Sequence, residues 1–483
     1  MTLYAIHPIG HPTVALVVLI VEVLLFGYFL LVNTIHLSTA LIALIRLPRL
    51  VRFERADPFR ALTAASEPGV SVLVPAYNEQ RHICRTVESL LDQNYSNLEV
   101  IVVDDGSTDA TLAVLTERFD LAPSAERQPI TIPTVPVRAT YRSASVPRLR
   151  VLVKDNGGKG DALNAGINGA NFQLIFACDG DSIYTRDAVK RLVDLFATDA
   201  RTVGAGSSIA VSNDCELEDA PLVRKRLSKN WLVRFQVLDY FSAFLSSRVC
   251  WAQFNALTIV SGASGLWRKD ILIEAGGYRT DTKWEDLEMT IRVHHMLRKK
   301  RRPYRIRYTP FSICWTDVPD SVMSLWNQRT GWHRHVSESM SLHRRVLFSR
   351  HSGVVGWVMF KCFILAEWLS PLILLFGLLF GAVAAYFGFL AYFSQLVLLA
   401  LVAALAVFTS NCGLLLDELT FDTYQLGEVL RLLLGGVIGV LGFRPLVTVA
   451  NLVGFWQWVT ATPIRGRHDI ARPRTPPYDP LRR

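Results

Sequence analysis

Two carboxylates flank a glycine at Asp179-Gly180-Asp181, directly after the apolar run Leu174 to Cys178. Placed there, they present oxygens to a hard divalent cation, magnesium or manganese, that also takes diphosphate oxygens. Alone, such a tripeptide is more often an ordinary acidic turn. Three other stretches carry compatible chemistry. Pro75-Ala76-Tyr77-Asn78-Glu79 and Asp104-Asp105-Gly106-Ser107-Thr108-Asp109 each follow an apolar run, although Asp-Gly-Ser also suits a turn or a helix cap. The segment from Asp155 to Gly166, DNGGKGDALNAG, combines glycines that let backbone approach a ligand, the cation Lys159, and a helix start, which together suit diphosphate. It lacks the GxxxxGK[ST] of ATP-hydrolysing loops, and no GxGxxG follows a first strand to suggest a dinucleotide. Further on, Thr282-Lys283-Trp284-Glu285-Asp286-Leu287-Glu288 opens a helical pattern. Its acids suit a helix N-terminus, and one of them held beside an acceptor hydroxyl would take its proton.

These motifs need a scaffold that brings them to one edge. Val70–Val74, Leu98–Val103, Leu149–Val153 and Leu174–Cys178 read as short β-rich runs, with helices at Ile83–Leu91 and Ala162–Ile167 between them. That alternation predicts a mostly parallel sheet covered by helices, whose ligands bind at the carboxyl ends of the strands. Residues 121 to 148, rich in Pro, Ser and Arg, read as a surface insertion. The body between the apolar ends, about 300 residues, is large enough for one substantial core.

A chain that is 51% hydrophobic yet 19% charged calls for two environments. Residues 13 to 45 carry only Glu22 and His36 as ionisable side chains and exceed the ~30 Å of a bilayer core, so they read as one long, tilted span. No Lys or Arg precedes that run, which argues against a cleaved leader. Arg46, Arg49, Arg52, Arg55 and Arg60 follow it, placing that end in the cytosol and the N-terminus outside. Residues 354–379 and 389–411 read as two further spans, and 427–443 with 446–462 as a tight pair or a re-entrant element. The basic, Pro-rich tail of 464–483 reads as cytosolic. Basic residues beside apolar segments account for the net charge of +9, so nucleic acid is not an expected partner. The seven cysteines form no CxxC pair or zinc-ligand spacing and read as reduced thiols.

In this order the motifs resemble the family 2 glycosyltransferases, in particular the membrane-integrated synthases of cellulose, chitin, hyaluronan and poly-N-acetylglucosamine. The matching segments are VSVLVPAYNE (70–79), VVDDGSTD (102–109), DNGGKGDALNAG (155–166), DGD (179–181), SGASGLWR (261–268), WED (284–286) and QRTGW (328–332). The resemblance implies a GT-A-type, Rossmann-like α/β catalytic domain in the cytosol combined with an α-helical transmembrane region at the plasma membrane. The boundaries it suggests are an anchor at 1–46, a catalytic domain at 47–350 with interfacial helices near 320–350, a transmembrane region at 351–463, and the tail. It implies that Tyr77, Glu79, Asp104, Asp105, Lys159 and Asp179 bind a UDP-sugar, and that Asp179 and Asp181 carry its Mg2+ or Mn2+. Asp286 becomes the general base. Trp267, Glu285, Gln328, Arg329 and Trp332 become the acceptor and diphosphate contacts. The partners implied are a polysaccharide or lipid-linked acceptor, the bilayer, and an accessory secretion subunit.

One departure bears on mechanism. Processive members carry Q, two variable residues, R and W, whereas this chain has Gly331 at the fourth position. An inverting synthase that extends and translocates a β-linked polymer of N-acetylglucosamine or glucose is therefore set against a transferase placing one sugar on a lipid. Retention of Asp105, Asp179, Asp181 and Asp286 together argues against a silent scaffold. The glycine and lysine segment argues against a two-carboxylate hydrolase. Lys361 and Glu367, within the second expected span, are candidates to line a passage.

Overall fold

The computed structural model describes residues 12–460 apart from 60, 63–66, 127, 216–225, 283, 345, 347–348 and 388–391, so the tail, Arg60 and Lys283 lie outside the described residues. Ten strands among them form one sheet: β1 (Val70–Ala76), β2 (Leu98–Asp104), β3 (Leu121–Ser124), β4 (Val137–Ser143), β5 (Leu149–Lys154), β6 (Leu174–Cys178), β7 (Ile183–Tyr184), β8 (Thr202–Val211), β9 (Ser264–Arg268) and β10 (Arg305–Thr316). Their order is β3-β4-β5-β2-β1-β6-β9-β8-β10-β7.

The central run β5-β2-β1-β6 is parallel, as the alternating apolar runs and helices require. All seven residues of β1 and of β2 are buried, since helices Ile83–Leu91 and Lys159–Gly169 belong to the layers that cover the sheet. Beyond β6 the sheet turns mixed: β9 runs antiparallel to β6 with Cys178 opposite Ser264, β8 runs antiparallel to β9, and β8 pairs parallel with β10. The antiparallel step has a functional consequence. It carries the start of β9, and the SGASG loop before it, to the strand end that bears Asp179.

The 121–148 stretch departs from its expected reading as an insertion. Its two halves, β3 and β4, pair antiparallel with each other, and β4 pairs antiparallel with β5 to extend the sheet edge. Arginines on the outer face of β4 mask an alternation that only the neighbouring strand makes useful.

Helix Pro12–Ala56, 45 residues long, precedes the sheet and runs past the expected boundary at 46. Along its later part Ala43, Leu47 and Val51 enter the core of the catalytic body, while Val17, Val23 and Leu24 stay exposed. It is the one helix among the described residues long and apolar enough to cross a membrane unaided. Two bent pairs would each pass the same test as single broken spans: Val355–Trp368 with Ser370–Tyr386, bent by 48°, and Leu426–Leu441 with Phe443–Val459, bent by 49°. Helix Tyr392–Thr420 lies between them in the chain.

Two helices join the sheet to this apolar region. Val322–Leu342 packs along Phe443–Val459, where Thr330 Oγ1 donates to the Ala450 carbonyl at 3.2 Å. The second, Trp231–Phe241, continues through a π-turn at 242–247 into Arg248–Gln253, and Gly413 of helix Tyr392–Thr420 lies directly on the backbone of Phe241 and Ser242. Sequence reasoning missed this second helix, because its apolar residues are spread around it without one polar face, although Asn230 caps its start by accepting from Leu232 N.

Candidate active site

The register of the parallel strands sets the site. Ala76 pairs with Asp104 and Asp104 with Val153, so β1, β2 and β5 end level, and the Asp105 amide donates to the Ala76 carbonyl at 2.9 Å. Tyr77–Glu79, Asp104–Asp109, Asp155–Gly158 and Asp179–Asp181 thereby share one edge. Asn78 fastens the first two: with φ at 60°, its side chain accepts from Thr108 N at 2.8 Å.

Asp105 is turned inward. Its carboxylate accepts from Lys154 Nζ, from Gly157 N at 2.9 Å and from Gly158 N at 2.7 Å, and the residue is 3% exposed. Burial raises its pKa, with Lys154 and the two amides opposing the shift. Asp104 is equally buried and accepts from Ser107 N at 2.9 Å. Both, expected as ligand contacts, also fasten loops: Asp105 through Lys154 and two backbone amides, Asp104 through the Ser107 amide on Oδ1. Lys154, which sequence reasoning passed over, is fully buried and also pairs with Asp161 at 2.8 Å, so one cation ties β2 to the helix that starts at Lys159.

Lys159 stands at the centre of the cleft. Its ammonium lies 2.6 Å from Asp179 Oδ1 and 2.9 Å from Glu285 Oε1, bridging the end of β6 to the first residue of helix Glu285–Lys299. Partial burial disfavours its charge, but Asp179, Glu285 and Asp286 more than offset this and raise its pKa well above the usual lysine value. Its side chain keeps 37% exposure. Burial pushes Glu285 up, Lys159 opposes that, and Asp286 adds to it. Asp286 accepts from Gly262 N at 2.9 Å through Oδ2 and from Leu287 N at 2.7 Å through Oδ1. Each oxygen retains a second lone pair for a proton. Gly262 leaves room for that bridge: a Cβ there would sit 2.9 Å from Lys159 Nζ and 3.3 Å from Glu285 Oε1.

Across the cleft, Glu79, Asp179 and Asp181 are set near one another. Desolvation, then Asp181, Asp179 and Asp109, raise Glu79 to about 7. Asp181 also rises, by desolvation on its cleft side and by Asp179, although its outer edge is open to solvent. Carboxylates that repel one another in this way fit a divalent cation. Among the described residues no three His, Cys, Asp or Glu side chains form a ready cation cage, so further oxygens would have to come from a diphosphate or water.

The expected acceptor contacts divide. Trp284 and Trp332 face each other with ring centroids 6.2 Å apart, and the Arg329 guanidinium lies 4.7 Å from the Trp332 ring centroid and 3.4 Å from Asp239. Arg329 Nε and Gln328 Oε1 are buried with no hydrogen-bond partner among the described residues. Trp267 does not belong with them. At 2% exposure it sits in β9 with its indole against Gly204, a core residue beneath the sheet, since alternation along β9 turns it away from the cleft. Tyr77 is 42% exposed at the cleft rim. Gly331 faces open space, with no atom within 4 Å of an added Cβ.

The sequence model described as glycosyl transferase family 2 matches residues 71–257, and that of glycosyl transferase family group 2 matches 174–410. Between them they span the cleft, both joining helices and the first bent pair. The chain belongs to glycosyltransferase family 2. This family 2 enzyme is 26% identical over 267 residues to the poly-beta-1,6-N-acetyl-D-glucosamine synthase of Staphylococcus aureus (strain COL), a stretch that is 55% of this chain and 53% of that one. The synthase of the same name from Staphylococcus epidermidis is 26% identical over 285 residues, 58% of either chain. The chain thus spans about half the length of the curated relatives it matches. A mannosyltransferase from Pyrobaculum calidifontis, solved with GDP-mannose and Mn2+, aligns over 91% of this chain and 100% of its own at 16% identity and a TM-score of 0.49, too weak a likeness to carry argument.

Proposed function

We propose that the protein is a membrane polysaccharide synthase that transfers N-acetylglucosamine, or glucose, from a UDP-sugar to a growing β-linked chain with inversion at the anomeric carbon. The observation that carries this reading is the Lys159 bridge from Asp179 to Glu285, which sets an ion-paired ammonium between the strand-end carboxylates and Asp286. The naming of the staphylococcal relatives favours N-acetylglucosamine.

In this reading the acceptor hydroxyl attacks the anomeric carbon from the side opposite the diphosphate. The new C–O bond forms as the bond to the phosphate oxygen breaks, and the hydroxyl proton passes to the Asp286 carboxylate. UDP leaves with the bonding pair, and Lys159 exchanges its carboxylate contacts for the developing phosphate charge. Asp179 and Asp181 would hold the Mg2+ or Mn2+, which when bound supplies Lewis-acid stabilisation of the diphosphate. Glu79 and Tyr77 border the donor side. Trp284 and Trp332 offer ring faces to the acceptor sugar, and the orphan atoms of Gln328 and Arg329 gain partners from its hydroxyls.

The same proposal covers location. Arg46, Arg49, Arg52 and Arg55 after the first apolar run favour a plasma-membrane anchor with its N-terminus outside and the catalytic domain, residues 47–350, in the cytosol. The bent pairs and helix Tyr392–Thr420 would complete a multi-pass region at 351–463, the exit for polymer to which an accessory secretion subunit would couple.

One observation favours a second reading, single addition to a lipid. The open space at Gly331 leaves the acceptor platform without the guanidinium that processive relatives place there. Purified protein in lipid, given radiolabelled UDP-N-acetylglucosamine or UDP-glucose with Mn2+, separates the two. A large glycosidase-sensitive polymer supports the synthase, a single sugar extracted with lipid supports the alternative, and absence of turnover with both donors counts against the donor class.

A further inference from the structure

We propose that a cationic cavity at the far end of helix Glu285–Lys299, separate from the catalytic cleft, binds a phosphate ester. Its lining includes Asn255, Arg298, Arg301, Arg302, Tyr304 and His351 around a volume of about 410 Å3. Arg298 lies twelve residues beyond Asp286 on the same helix, roughly 18 Å along its axis, so the two sites do not share a ligand.

A cluster of cations after a helix often serves only its dipole and solvation. Here the charges are poorly neutralised. Glu274 serves both Lys300, at 2.7 Å, and Arg302, at 2.6 Å. Arg298 directs its donors to neutral groups, the Tyr304 hydroxyl at 2.8 Å and the Asn255 carbonyl at 3.3 Å, and no carboxylate among the described residues pairs with Arg298 or Arg301. Arg301 ends the helix with φ at 52°, and this left-handed turn holds 301 and 302 opposite the segment that carries His351. His295 reports the local field: burial first, then His343, Lys299 and His351, hold it below the usual histidine value, and its Nδ1 has no hydrogen-bond partner among the described residues. Arginine forks around an open, positive cavity match phosphate oxygens.

The surroundings favour an amphiphile. The Arg298 guanidinium lies against Gly353, and Val354, Trp357 and Val358, all exposed, begin three residues beyond His351. A phospholipid could seat its phosphate among the arginines and its acyl chain along that strip, a source that rests on the membrane reading of the 355–386 pair. A soluble phosphate ester would use the cavity alone.

The test uses the full chain in neutral detergent with chelator present, titrated calorimetrically with dihexanoyl phosphatidylglycerol, dihexanoyl phosphatidylcholine and inorganic pyrophosphate. The expected result is binding of an anionic probe without the zwitterionic one, weakened at least about tenfold in Arg301→Gln/His351→Gln, since two charge-assisted contacts are lost. Phosphatidylglycerol alone would identify a headgroup site, and pyrophosphate as well would identify a site for soluble esters. Equal binding by the double variant, or no binding of either anion, overturns the proposal. UDP binding with Mn2+, measured in parallel and expected unchanged in the variant, tests the donor reading separately.

Discussion

At the scale of single residues the cleft depends on contacts that leave no spare volume. Gly262 gives the clearest case, because the atom a new Cβ would strike is the end of a flexible lysine rather than backbone. Gly262→Ala should therefore fold but displace Lys159 from its bridge. We expect kcat for UDP release to fall at least about tenfold with little change in melting temperature, checked by steady-state kinetics beside a thermal scan. Much of this scale was legible in the sequence. Lys159, Asp179, Glu285 and Asp286 stand out by type and order, and the structure brings all four together. Trp267 was misplaced because a motif names residues without saying which way they face, and β9 turns it into the core. The loop-fastening contacts of Asp104 and Asp105 were likewise not readable from the motif. Lys154 was missed, and Trp284 was given no role of its own within WED, because their partners Asp105 and Trp332 are 49 and 48 residues away along the chain.

At the scale of elements, the helix that starts at Glu285 is held by a buried set beside Asp286. Glu288 is fully buried, pairs with Arg292 at 2.8 Å, and accepts from or shares a proton with His343 Nε2 at 3.1 Å. Burial alone would raise its pKa, but Arg292 and His343 outweigh it and bring the value from 4.5 down to about 2. The stability this adds is present above the unfolded value and is lost as pH falls toward the folded one. Denaturant titrations should show about 2 kcal/mol lost to this group between roughly pH 5 and pH 3, and Glu288→Gln should remove that share of the slope. A second contact links this region to the apolar helices. A Cβ at Gly454 would lie within van der Waals overlap of the Thr330 carbonyl and 3.1 Å from Arg334 N, so Gly454→Ala must push apart a pair of helices whose backbones touch. A loss of about 1–3 kcal/mol is expected, read as a lower melting temperature in detergent. Strands β1, β2, β5 and β6 were legible because unbroken apolar runs end at polar motifs. The edge strands and the helix at 231–253 were not, since their partners are supplied by tertiary contacts the local pattern does not encode.

At the scale of the whole molecule, the sheet edge, the helix carrying Asp286 and the QRTGW helix form one assembly seated on the apolar helices. The parallel half of the sheet contributes Glu79, Asp179 and Asp181, and the antiparallel step at β9 delivers Gly262. Helix Val322–Leu342, docked on Phe443–Val459, then brings Trp332 to Trp284. The paired rings thus stand near Asp286, where the helix meets the apolar region. The account stands or falls on proton removal by Asp286. The deciding measurement is the rate of UDP release from UDP-N-acetylglucosamine by wild type and Asp286→Asn in lipid with Mn2+, alongside UDP affinity. A fall of about 10²–10⁴-fold in rate with UDP affinity retained is expected. A variant that turns over within a few-fold of wild type would contradict it.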